Sequence, residues 1–87
     1  MTPESNKVTI YASSTCPQCK KVKQYMEENG IPHNYYELDK DSRKFADFKR
    51  DGGAMTVPLT VIEMNGNIMA VSGEFDEVQF DNIFFIN

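Results

Sequence analysis

The chain has 87 residues and two cysteines, and both cysteines fall in one short stretch, SSTCPQCKKVK, residues 13 to 23. Cys16 and Cys19 are separated by Pro17 and Gln18. Such a pair serves one of three ends: it ligates a metal, it packs like any other small side chain, or it cycles between dithiol and disulfide. A structural zinc site draws on further Cys or His ligands, often as a second CxxC-like pair. Here His33 is the single histidine, and no acidic residue is spaced to complete a shell, so no metal site is expected. Plain packing suits Cys19, which shares a helical face with Val22, Tyr25 and Met26. It does not suit Cys16, which stands where a strand gives way to a helix and a side chain is exposed.

Dithiol chemistry has direct physical support. Proline is favoured at the first helical position, so Pro17 makes Cys16 the N-cap. Unpaired backbone N–H groups and the positive end of the helix dipole then face its sulfur. Such surroundings favour thiolate over thiol and lower a cysteine pKa from ~8.5 toward roughly 3.5 to 7.5. Lys20 and Lys21 lie one turn along and could add to the effect, although a solvated helix face accounts for both. Cys19, within one helical turn, can reach the Cys16 sulfur. Unequal roles follow, with Cys16 as attacking thiolate and Cys19 as resolving thiol.

The elements that must hold this pair can be read from periodicity. KVTIYA (7 to 12) is β-branched and aromatic, a strand. Residues 17 to 29 carry the helical spacing of Cys19, Val22, Tyr25 and Met26 and stop at Gly30 and Pro32. HNYYEL (33 to 38) is a second strand. Residues 41 to 51 open on Asp and Ser, space Phe45 and Phe48 three apart and end at Gly52-Gly53, a short helix. Strands at 58 to 64 and 67 to 72 flank Asn65-Gly66, a strong hairpin signal. EFDEVQFDNIFFIN closes the chain as a third helix, with Phe75, Val78, Ile83 and Phe84 as its buried side. The order β-α-β-α-β-β-α implies a parallel pair with a right-handed crossover, extended by an antiparallel hairpin. We expect an α/β fold with a four-stranded mixed sheet flanked by three helices.

Composition excludes several classes. A chain that is 40% hydrophobic and 25% charged has an ordinary globular mix, and 87 residues suffice for one domain spanning 1–87. A net charge of −4 argues against nucleic-acid or anionic-membrane partners. No run approaches the ~18 apolar residues of a membrane span. MTPESNKVTI has no basic region followed by a long apolar run, so no signal peptide is expected. The expected location is cytoplasmic, where a permanent disulfide is rare.

Three motifs together resemble the glutaredoxin branch of the thioredoxin-fold redoxins: TCPQC (15 to 19), TVP (56 to 58) and SGEFD (72 to 76). The resemblance runs from about Lys7 to Phe85 and implies a thioredoxin-like fold. It also implies a thiol–disulfide oxidoreductase with Cys16 and Cys19 catalytic. Pro58 would be a cis proline beside the dithiol, and the Val57 backbone would pair with the substrate. Thr56, Ser72, Gly73, Asp76 and Gln18 are the implied substrate or glutathione contacts, with Ser72 and Asp76 holding the γ-glutamyl end. Pro17, Ser13 and Tyr11 would line the site, though Tyr11 reads first as a strand residue. No bound cofactor is implied; glutathione is the co-substrate, and the expected form is a monomer.

The electron donor is where this chain departs from the family pattern. Many glutaredoxins have a lysine where Ser13 stands and a tyrosine where Gln18 stands. Gln18 and the SG-F turn also resemble glutaredoxin-like hydrogen donors of ribonucleotide reductase, which thioredoxin reductase reduces. The coincidence of CPxC with TVP favours glutathione, and thioredoxin reductase is the alternative. The disulfide-containing partners implied include ribonucleotide reductase. Some family members instead carry a [2Fe–2S] cluster, a use that Pro17 argues against. A redox-inert adaptor is argued against by the intact Cys-Pro-Gln-Cys. His33 could be read as a base for Cys16, but its place at the start of the second strand fits a surface histidine better.

Overall fold

A computed structural model of the chain describes residues 7–50, 56–64 and 66–85. The segment 1–6, the segment 51–55 with Gly52-Gly53, Asn65 of the hairpin turn and residues 86 and 87, which include the last residue of the IFFI run, lie outside the described residues. The elements are β1 (Lys7–Ala12), α1 (Pro17–Glu28), β2 (Asn34–Glu37), a 3₁₀ turn (Ser42–Lys44) leading into α2 (Phe45–Arg50), β3 (Leu59–Met64), β4 (Asn67–Ser72) and α3 (Glu77–Phe84).

The four strands form one mixed sheet in the order β2-β1-β3-β4. β1 runs parallel to β2, with Ala12 opposite Glu37, and antiparallel to β3, with Tyr11 opposite Leu59. β3 and β4 pair antiparallel from Met64–Asn67 at the turn to Leu59–Ser72 at the open end. Gly66 in that turn has φ 83°, in the left-handed region that glycine enters without steric cost.

Alternation along β1 divides the core between the two faces of the sheet. Val8 and Ile10 pack with Ile62 of β3, Val22, Tyr25 and Met26 of α1, and Phe80 of α3. On the other side Tyr11, Leu59 and Val61 pack with Phe48 of α2. The helical face expected for α1 is the buried one: Cys19, Val22, Tyr25 and Met26 are all buried. The Tyr25 hydroxyl donates to Asp81 Oδ1 at 2.7 Å, which ties α1 to α3. Burial, and then that hydrogen bond to Asp81, push the phenol well above its usual pKa.

Three expectations need correction. The segment 41 to 51 opens as a 3₁₀ turn, its α-helical part is six residues long, and Phe45 is 41% exposed. So short a helix presents one apolar side chain to the sheet, and Phe48 takes that place. β2 begins at Asn34 rather than His33, whose Nδ1 lies 2.9 Å from the Ile31 carbonyl oxygen. In α3 the buried residue is Phe80, whereas Val78 is 68% exposed. The reason is the register set at Asp76, whose carboxylate caps the helix by accepting from the Val78 and Gln79 N–H groups. Residues two apart then diverge by about 200° around the axis. Phe80 faces the core with Ile83 and Phe84 beside it, and Val78 faces out.

Candidate active site

The register brings four chain segments to one end of the sheet. β1 ends at Ala12, β2 at Glu37 and β4 at Ser72, and β3 begins at Leu59 on that same end. The turn 13–16 therefore leaves β1 there and delivers Cys16 to the start of α1. Cys16 is the N-cap of α1, with φ −97° and ψ 109°, and Pro17 is the first helical residue. Its N–H donates to Ser13 O at 3.2 Å, its C=O accepts from Lys20 N at 3.3 Å, and its Sγ accepts from Cys19 N at 3.1 Å. Cys16 and Cys19 are joined as a disulfide with Cα atoms 5.3 Å apart. Cys19 is fully buried and Cys16 is half-buried, so only Cys16 presents its sulfur to a partner.

The walls of the site come from the other segments. Val57–Pro58 is a cis peptide, and Pro58 is buried ahead of β3. The Pro58 carbonyl accepts from Gly73 N at 3.1 Å, which fastens the turn after β4 to the start of β3. Gly73 has φ 96°, a left-handed conformation that lets the chain turn toward α3. Two residues on, Phe75 N donates to Gln18 Oε1 at 3.0 Å. These two hydrogen bonds link Gln18, the turn 72–76 and Pro58 into one structure beside the disulfide. Thr56 and Ser72 are exposed at this end, Val57 packs against the Tyr11–Phe48 cluster, and Asp76 is occupied capping α3.

Two lining expectations separate on inspection. Ser13 is half-buried in the redox turn, where its Oγ lies 3.3 Å from Thr15 Oγ1 and accepts from Thr15 N. Tyr11 is 3% exposed, with its ring against Tyr36 and Phe48, so its side chain belongs to the second core. His33 precedes β2 at the opposite end of the sheet from the disulfide. Among the described residues, no group of three His, Cys, Asp or Glu is placed to hold a metal ion.

Asp39 was not anticipated from the sequence. Its carboxylate accepts from the Ser14 N–H at 3.0 Å and from the Ser14 hydroxyl, tying the redox turn to the loop after β2. No local pattern marks it, because its partner lies 25 residues upstream. The Ser14 hydroxyl and then the Ser14 N–H hold the Asp39 carboxyl below its ordinary pKa. The ionised form is the one that accepts these bonds. The tether is thus complete above the usual carboxylate pKa and is lost as pH falls through the lowered value. An NMR titration of the Asp39 side-chain carbon should give a midpoint below that of an unperturbed aspartate, with the Ser14 amide shifting in step. A midpoint at or above that value would show that the tether does not hold in solution.

Solved structures agree on the fold. A thioredoxin-like protein matches with a TM-score of 0.72 at 22% identity, covering 90% of this chain and 100% of its own. A glutaredoxin from Archaeoglobus fulgidus gives 0.67 at 21%, covering 91% of this chain and 86% of that one. A buckwheat glutaredoxin in complex with glutathione gives 0.60 at 23%, covering 97% and 74%. The fold is therefore thioredoxin-like, a mixed four-stranded sheet with three helices. The glutaredoxin family model matches residues 8–67, and the chain belongs to the glutaredoxin family. Comparison with curated protein sequences gives no match. Family membership and the paired cysteines support a thiol redox function.

Proposed function

We propose that the chain is a dithiol–disulfide oxidoreductase that reduces protein disulfides or glutathione mixed disulfides. The observation that carries this reading is the pairing of a half-buried Cys16 at the N-cap of α1 with a fully buried Cys19 behind it. In the reduced protein, the helix N-terminus favours the Cys16 thiolate. The thiolate attacks one sulfur of a substrate disulfide; the other sulfur leaves as a thiolate, and a mixed disulfide forms. Cys19 loses its proton and attacks Cys16 Sγ. The substrate's remaining sulfur departs as thiolate, and the Cys16–Cys19 disulfide is left. Two electrons have passed to the substrate, whose two thiolates take up protons.

Re-reduction needs an external dithiol equivalent. In our reading two glutathione thiols supply it, leaving as glutathione disulfide, and the protein works as a cytoplasmic monomer with no bound cofactor. A second reading has thioredoxin reductase as donor and a protein such as ribonucleotide reductase as substrate. It is favoured by the Gln18–Phe75 bond, which engages a backbone donor in the turn expected to meet glutathione.

NADPH consumption by the oxidised protein tests both readings. We expect turnover with glutathione and glutathione reductase. Turnover with thioredoxin reductase alone would move the assignment to the second reading. NADPH oxidation with neither couple would overturn the oxidoreductase assignment.

A further inference from the structure

The residue between the cysteines does more than space them. Gln18 Oε1 accepts from the N–H of Phe75, which sits in the turn between β4 and α3. A side chain of the first turn of α1 thereby engages a backbone donor 57 residues further along the chain. Neighbouring donors are engaged as well. Gly73 N–H bonds Pro58 O, and the Asp76 carboxylate accepts from the Val78 and Gln79 N–H groups. Glu74, Asp76 and Glu77, in and just after the same turn, are exposed and add negative charge there. A cleft of about 180 Å³ beside Phe75 is lined by Lys21, Gln24, Tyr25, Glu28 and Glu77.

An open helix N-terminus attracts anions. This one is filled by the protein's own acceptors and fringed with acids. A carboxylate arriving there must displace a bond already made and approach like charge. We propose that Gln18 is a specificity-determining residue. By holding the Phe75 N–H it weakens binding of disulfide partners that carry carboxylates close to the sulfur, glutathionyl groups among them, relative to uncharged ones. The inference rests on the thiol–disulfide activity proposed above and defines the substrate class which that site prefers.

The test uses one cysteine peptide prepared as two mixed disulfides, one with glutathione and one with uncharged 2-mercaptoethanol. Steady-state KM and kcat are measured for the wild-type chain, Gln18→Met and Gln18→Glu. Methionine is similar in length but lacks the amide oxygen, so the Phe75 N–H is released. KM for the glutathionylated peptide should fall at least about tenfold in Gln18→Met, the scale of one added hydrogen bond to a charged group. KM for the uncharged mixed disulfide should stay within about twofold. Gln18→Glu keeps an acceptor and adds charge, so its KM for the glutathionylated peptide should rise by about fivefold.

Parallel changes for both peptides in Gln18→Met would reduce Gln18 to a structural role and overturn the proposal. An unchanged or raised KM for the glutathionylated peptide in that variant would also overturn it. If Gln18→Met does not fold, the selective rise in Gln18→Glu decides, and its absence rejects the proposal. A wild-type chain that reduces neither peptide would instead refute the oxidoreductase reading, before any variant is compared.

Discussion

Cys16→Ser should lower disulfide reduction by at least about a thousandfold, to the background of uncatalysed exchange. A serine hydroxyl is not ionised near neutral pH, so the substrate disulfide meets no competent nucleophile. Nothing else can take over, because Cys19 is fully buried behind the N-cap position. Cys19→Ser should behave differently. Release of glutathione from a glutathionylated peptide needs one attacking sulfur, with free glutathione able to resolve the intermediate. That reaction should persist within about an order of magnitude. Reduction of a protein disulfide should instead stall as a covalent adduct on Cys16, visible as a mass increase that a reducing agent removes. Intact turnover in Cys16→Ser, or an adduct on Cys19 in the wild-type chain, would reverse the assigned roles.

Phe80→Ala should be the most destabilising of the simple core truncations in α3. Phe80 is 2% exposed, and its ring centroid lies 5.4 Å from Tyr25, 5.6 Å from Phe75 and 6.1 Å from Phe84. It is the buried contact of α3 with α1 and the sheet, and no other residue of that helix is fully buried. Replacing a buried phenylalanine with alanine costs about 3 to 5 kcal/mol in lost transfer energy and cavity formation. A domain of this size loses roughly 4 to 8 °C of Tm per kcal/mol, so a drop of about 12 to 40 °C is expected by differential scanning calorimetry. The turn 72–76 should loosen with it, since Phe75 packs on the same ring. A Tm within about 5 °C of the wild type would mean that α3 is not anchored there. Val78→Ala, at a 68% exposed position, is the matched control and should change little.

Much of the architecture is legible in local pattern. The strand at Lys7–Ala12, the four buried positions of α1 and the hairpin strands all follow from apolar spacing and turn residues. The N-cap position of Cys16 follows from Pro17 alone, because proline fits the first helical position and disfavours the interior. The third helix was readable as a helix but not in its register. Its buried side depends on Asp76 capping it, and Phe75, Val78, Phe80, Ile83 and Phe84 offer more than one apolar face. Phe45 is the same kind of case: a short helix cannot bury both of its rings, and which one goes inside is decided by the sheet below.

The sequence by itself determined the chemistry of this protein: a cysteine at a helix start, a second cysteine one turn later, and a strand to lead into them. Those are relations within a few residues, set by backbone geometry and side-chain type. Only the tertiary structure decided how the redox turn is held and what surrounds it. Asp39 reaches Ser14 across 25 residues, and Gln18 reaches Phe75 across 57. A hydrogen bond forms wherever the fold places a donor and an acceptor about 3 Å apart, and no local propensity records that distance. The cysteines could therefore be found by reading the chain. The side chain between them acquired a partner only once the sheet had brought α1 and the approach to α3 together.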